Sequence, residues 1–68
     1  MDFETAKKLL IMNKPVMFEG KKYSVKELVI WYDNYNTIQY SFILYDENKN
    51  TYRVNIRQCF EVEKSEPI

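Results

Sequence analysis

The run Lys22–Tyr32 changes its apolar parity partway along, and this constrains the fold more than any other feature of the chain. Tyr23 and Val25 share one side of an extended backbone, and two residues further on the same phase reaches Glu27. Apolar residues then resume as Leu28, Ile30 and Tyr32 on the opposite parity. A strand of period 2 can do this only by bending or bulging. A bend near Lys26–Glu27 lets one strand serve two faces of a small, strongly curved sheet. The competing reading is a short helix from Val25 to Trp31; the β-branched and aromatic content leans toward strand.

The flanking sequence supplies the other elements. Asp2 is a good N-cap, and Phe3, Ala6, Leu9 and Leu10 follow at helical spacing. Asn13 suits a left-handed helix end and Pro15 forbids continuation. The stripe is too short to be stable alone in water, so it must lie on the sheet. Val16–Glu19 reads as a short strand, with Gly20 at a hairpin turn. Asp33–Asn36 and Asp46–Asn50 are turns by composition. Between them Ile38, Tyr40, Phe42 and Leu44 alternate with Gln39, Ser41, Ile43 and Tyr45. Ile43 and Tyr45 make that second face partly apolar. Tyr52, Val54 and Ile56 form the inward face of the next strand. Arg57–Cys59 reads as one tight turn that delivers Phe60 and Val62 to a last short strand. The expected organisation is a single domain over 1–63, with a helix over 2–13, a barrel over 15–63 and a disordered polar tail over 64–68.

Composition narrows the means of stabilisation and the range of functions. The chain has 68 residues, one cysteine and no histidine, so an intramolecular disulfide is impossible and the usual zinc ligands are missing. Its core must come from apolar packing, for which 16% aromatic residues are apt. Ten basic and ten acidic side chains give zero net charge. That disfavours a dedicated duplex-DNA binder and an acidic DNA mimic alike, and leaves self-association open. No secretory signal or membrane-length apolar run is present, and with a lone thiol this points to the cytoplasm. Abundant Asn, Lys, Ile and Tyr reflect AT-rich codons, as in a low-GC bacterium or its phage.

Five short strands, the second long and bent, with Val54–Val62 carrying one tight turn before the last, resemble an SH3-like barrel. The resemblance covers roughly 15–63 and is one of architecture. It implies a mostly β, five-stranded antiparallel barrel with one amino-terminal α-helix. The chain also resembles small phage and mobile-element proteins of low-GC bacteria. The acidic and aromatic residues with which peptide-binding SH3 domains hold proline-rich ligands have no counterpart, so that function is not implied, and architecture alone licenses none.

Candidate chemistry is sparse. Cys59 as a nucleophile needs a neighbouring base, and no histidine exists to serve; a small buried apolar residue is the simpler role. Asp33, Asp46 and Glu47 sit in turns, where carboxylates bond local backbone, and their spacing matches no calcium loop. Neither a metal nor a cofactor is expected, and no catalytic residue is assigned.

The aromatic residues Trp31, Tyr32, Tyr35, Tyr40 and Tyr45 offer more. Trp31 lies on the parity opposite Leu28, Ile30 and Tyr32. If those three face the core, Trp31 faces outward; the competing reading packs it beneath the amino-terminal helix. An outward Trp31 with Tyr35 and Tyr45 would suit protein binding. The expected function is a non-catalytic protein-interaction module, such as a phage or mobile-element accessory factor that binds a host or phage protein. The alternative is a barrel for single-stranded nucleic acid or RNA, using Lys21, Lys22, Lys26, Arg53 and Arg57. A homo-oligomer paired through strand edges is a third option.

Overall fold

The computed structural model describes residues 1–62. It contains a helix α1 (Phe3–Ile11) and strands β1 (Val16–Phe18), β2 (Lys21–Tyr32), β3 (Ile38–Tyr45) and β4 (Thr51–Asn55). A 3₁₀ turn (Ile56–Gln58) then leads into β5 (Cys59–Glu61). The strands form one antiparallel sheet in the order β4-β3-β2-β1-β5, open between β4 and β5. The class is the expected one: mostly β, five antiparallel strands, one amino-terminal helix. The expected tail over 64–68 lies outside the described residues.

The parity change is a β-bulge. Val25 stands opposite Leu44 and Glu27 opposite Ile43, so Lys26 is the extra residue. Before the bulge Tyr23 and Val25 face the core; after it Leu28 does, so a single strand keeps apolar side chains inward through the bend. No helix forms over 25–31. The core consists of Ala6, Leu9, Val16, Val25, Phe42, Leu44, Val54, Ile56 and Cys59, with Met1, Leu10, Phe18, Tyr23, Leu28 and Tyr40 packed around it.

Helix α1 has defined ends. The Asp2 carboxylate accepts from the Thr5 N–H at 2.9 Å. At the other end Asn13 is left-handed (φ 54°), the Lys14 N–H donates to the Leu9 carbonyl and the Asn13 N–H to the Leu10 carbonyl. That pair of bonds is a Schellman motif, which satisfies carbonyls the helix would otherwise leave open. The buried stripe Ala6 and Leu9 lies on the sheet, and the Phe3 ring meets Tyr40 at 4.7 Å between centroids. Among the described residues no helix is long and apolar enough to cross a membrane.

Three hairpins connect β1 to β4. Glu19 (φ 50°) and Gly20 (φ 77°) join β1 to β2 with both central residues at positive φ, the type I′ geometry that suits sheet twist. The other two share one device. The Asp33 carboxylate accepts from the Tyr35 N–H at 2.8 Å, the Thr37 N–H at 3.0 Å and the Gln39 side-chain amide at 3.0 Å. Asp46 repeats this with the Asn48 N–H at 2.9 Å, the Asn50 N–H at 3.0 Å and the Tyr52 hydroxyl at 3.0 Å. In both turns the residue three after the aspartate, Asn36 or Lys49, is left-handed.

Several expectations need correction. The 3₁₀ turn begins at Ile56, one residue before the expected Arg57–Cys59, because the Asn55 side chain caps it by accepting from the Arg57 N–H at 2.9 Å. The last strand, expected to take in Val62, ends at Glu61; within it Cys59 is buried, as expected, and Phe60 is 67% exposed. Ile30 and Tyr32 keep the core parity, yet they are 57% and 68% exposed. The β2–β3 hairpin runs on past the last β4 pairing, Ser41 with Asn55, which leaves Ile30 and Tyr32 beyond the end of β4.

Candidate functional site

The face of the sheet away from α1 carries Val29 and Trp31 from β2, Gln39, Ser41 and Ile43 from β3, and Arg53 and Asn55 from β4. Register dictates this grouping: Trp31 stands opposite Gln39, Val29 opposite Ser41, Ser41 opposite Asn55 and Ile43 opposite Arg53. Trp31 therefore packs neither in the core nor beneath the helix.

Its indole is nonetheless held firmly. The Nε1–H donates to the Ser41 Oγ at 2.9 Å, a diagonal contact between neighbouring strands. Ser41 is only 2% exposed, so this bond satisfies a hydroxyl that would be costly to bury unpaired. The Arg53 guanidinium lies 5.0 Å from the ring centroid, within cation–π range. Trp31 is thus half-buried, with a cation resting over its ring.

A chain of side-chain hydrogen bonds borders the indole. Asp33 accepts from the Gln39 amide, the Gln39 carbonyl accepts from the Asn55 amide at 3.1 Å, and Asn55 in turn caps the 3₁₀ turn. These bonds tie the β2–β3 turn, β3 and the end of β4 into one polar seam beside Trp31. The hydrogen bonds that Asp33 accepts keep its carboxyl below its ordinary value: the Thr37 N–H contributes most, then the Tyr35 N–H and the Gln39 side-chain amide, against some desolvation.

The expected binding residues are only partly assembled. Tyr35 projects from the β2–β3 turn and is 88% exposed. Tyr45 is half-buried on the Trp31 face, but at the far end of β3, six residues along from Gln39, which is about 20 Å of strand. It borders a shallow depression with Val25, Lys26, Lys49 and Thr51. The five basic residues are spread out. Lys21 and Lys22 open β2, Lys26 is the bulge, Arg53 rests on Trp31, and Arg57 sits in the 3₁₀ turn at the opposite end of β3. Among the described residues the one ion pair is Lys7–Glu4 at 3.6 Å. Sequence reasoning missed the pairing of Ser41 and Arg53 with Trp31, which needs the three-strand register to be seen.

Cys59 is buried, with its thiol 3.9 Å from the Asn55 carbonyl. Burial pushes the thiol up to about 11, partly opposed by the amino terminus. Such a group stays protonated and unreactive near neutrality. Among the described residues no three His, Cys, Asp or Glu side chains group to hold a metal ion.

Residues 31–65, just over half of the chain, match the family model of the polyphenol oxidase middle domain. The matched stretch begins at Trp31 and takes in β3, β4, the 3₁₀ turn and β5. No curated protein and no solved structure matches the chain.

Proposed function

We propose that this chain, which belongs to the polyphenol oxidase middle domain family, is a non-catalytic protein-interaction module that binds its partner through the Trp31 face. The family description names a domain of an oxidase and carries no residue role to this chain. The observation that supports the reading is the placement of Trp31, outside the core and yet fixed by Ser41 below and Arg53 above. A rigid, half-buried tryptophan beside an arginine matches the residue types that dominate protein interfaces. Tyr35 extends the same end of the molecule with a freely exposed ring, and Tyr45 marks the far limit of the face. The module acts as an accessory factor in the cytoplasm.

The absence of histidine from the sequence and the buried, neutral Cys59 support a role without chemistry. The test is affinity capture of the tagged chain from its native lysate, with nuclease present, comparing wild type with Trp31→Ala and Arg53→Ala. Both variants are expected to keep a β-rich circular dichroism spectrum and to lose the captured protein. An unfolded Trp31→Ala chain would make Trp31 a packing residue. Capture that survives both substitutions would move the interface elsewhere. Capture that disappears on nuclease treatment would favour the nucleic-acid reading, whose affinity falls steeply with salt.

A further inference from the structure

A groove runs between the carboxyl end of α1 and β5, away from the Trp31 face. Leu9, Met12, Pro15 and Val62 supply its apolar lining, and its volume is about 710 Å³, within the usual range of ligand clefts. Its shape follows from the Schellman turn. The left-handed Asn13 and the Lys14 N–H bond to Leu9 set the direction in which the chain leaves the helix. Pro15 then fixes the next step.

Two further features give the groove a chemical character. Met12 is 52% exposed and Ile11, beside it, 74%. An exposed methionine is an adaptable apolar contact, able to fit side chains of different shape. Among the described residues Lys8 and Lys14 also line the groove, against one carboxylate, Glu61. The described lining is therefore basic on a chain whose overall charge is zero.

We propose that this groove docks an acidic, apolar peptide segment of a partner protein. An aliphatic or aromatic side chain sits against Leu9, Met12 and Pro15, and a flanking carboxylate meets Lys8 and Lys14. The charge is complementary to an acidic segment and opposes a basic one. Two cations beside an apolar lining make a poor track for a polyphosphate backbone.

The test is fluorescence anisotropy of a short labelled peptide alternating Leu or Phe with Asp or Glu, titrated with the full chain. A control peptide carries Lys in place of the acids. Amide chemical-shift mapping locates the site. The acidic peptide is expected to bind and to shift Lys8, Met12, Lys14 and Val62, while the basic peptide does not bind. Lys8→Glu with Lys14→Glu should weaken binding about tenfold, in line with two exposed ion pairs lost and reversed. Glu61→Gln should tighten it, a readout that does not depend on a damaged variant. Trp31→Ala should leave it unchanged, which separates this site from the face proposed above. The proposal is overturned by lack of binding, by equal binding of both peptides, or by shifts on the Trp31 face. Preferential binding of single-stranded RNA or of phosphatidylserine vesicles would also overturn it. So would concentration-dependent self-association that covers the same amides, which would assign the groove to a second copy.

Discussion

Glu19 and Lys49 hold left-handed backbone conformations, with φ of 50° and 64°. The cost there comes from Cβ crowding the following carbonyl, and Asn or Gly relieves it. The position equivalent to Lys49 in the middle hairpin is already Asn36. Replacing Glu19 or Lys49 by Asn is therefore expected to raise stability by about 0.5–1 kcal/mol each, the scale of left-handed strain relieved. Gly20→Ala makes the opposite case. A Cβ at Gly20 would meet nothing within 4 Å, yet φ is +77°, so this change is expected to cost about 1 kcal/mol through backbone strain alone. Urea melts of the three variants decide between strain and packing. If Gly20→Ala proves neutral, the hairpin has shifted to another turn type.

At the level of elements, the two aspartate-locked hairpins bind their carboxylates in the charged form. Desolvation pulls Asp46 upward, but the Asn50 N–H, the Tyr52 hydroxyl and the Asn48 N–H outweigh it, so its pKa ends below 3.8, as does that of Asp33. A folded-state pKa below the unfolded one adds stability that is present above the ordinary carboxylate value. That stability is lost as pH falls through the lowered value. Unfolding should therefore become easier below pH 3.8. Asp33→Ala and Asp46→Ala should each lower the melting temperature at neutral pH and flatten its acid limb; an unchanged acid limb would mean that other carboxylates govern it. Much of this layer was legible beforehand. The bulge followed from a parity that no straight strand can carry, and the turns followed from Asp and Asn in clusters. The Arg53–Trp31 contact, the exposure of Ile30 and Tyr32 and the outward Phe60 were not legible. Each depends on where a neighbouring strand stops, and local periodicity does not encode strand ends. The aromatic candidates shared the limit: parity left Trp31 either on the outer face or beneath the helix, and only register settled its face and showed Tyr45 to lie a strand's length away.

The described residues share one small core, and a single cysteine allows no internal disulfide, so stability is expected to be modest. Cys59 reports on that core. With its folded pKa raised to about 11 from 9.0, the thiol stabilises the fold below pH 9 and that contribution is lost as pH climbs toward 11. At pH 8 the native chain is expected to resist a thiol-specific disulfide reagent and to react only as fast as it unfolds. Labelling that ignores added urea would show that the last strand opens on its own. That strand has a further mechanical consequence. Val16, the first residue of β1, is paired with Glu61, the last of β5, and only three residue pairs join the two strands. Tension applied across Val16 and Glu61 is expected to load that rung first and part the rungs one at a time, like a zipper. Pulled there, the three-rung β1–β5 seam is expected to part before the eight-pair β2–β3 ladder.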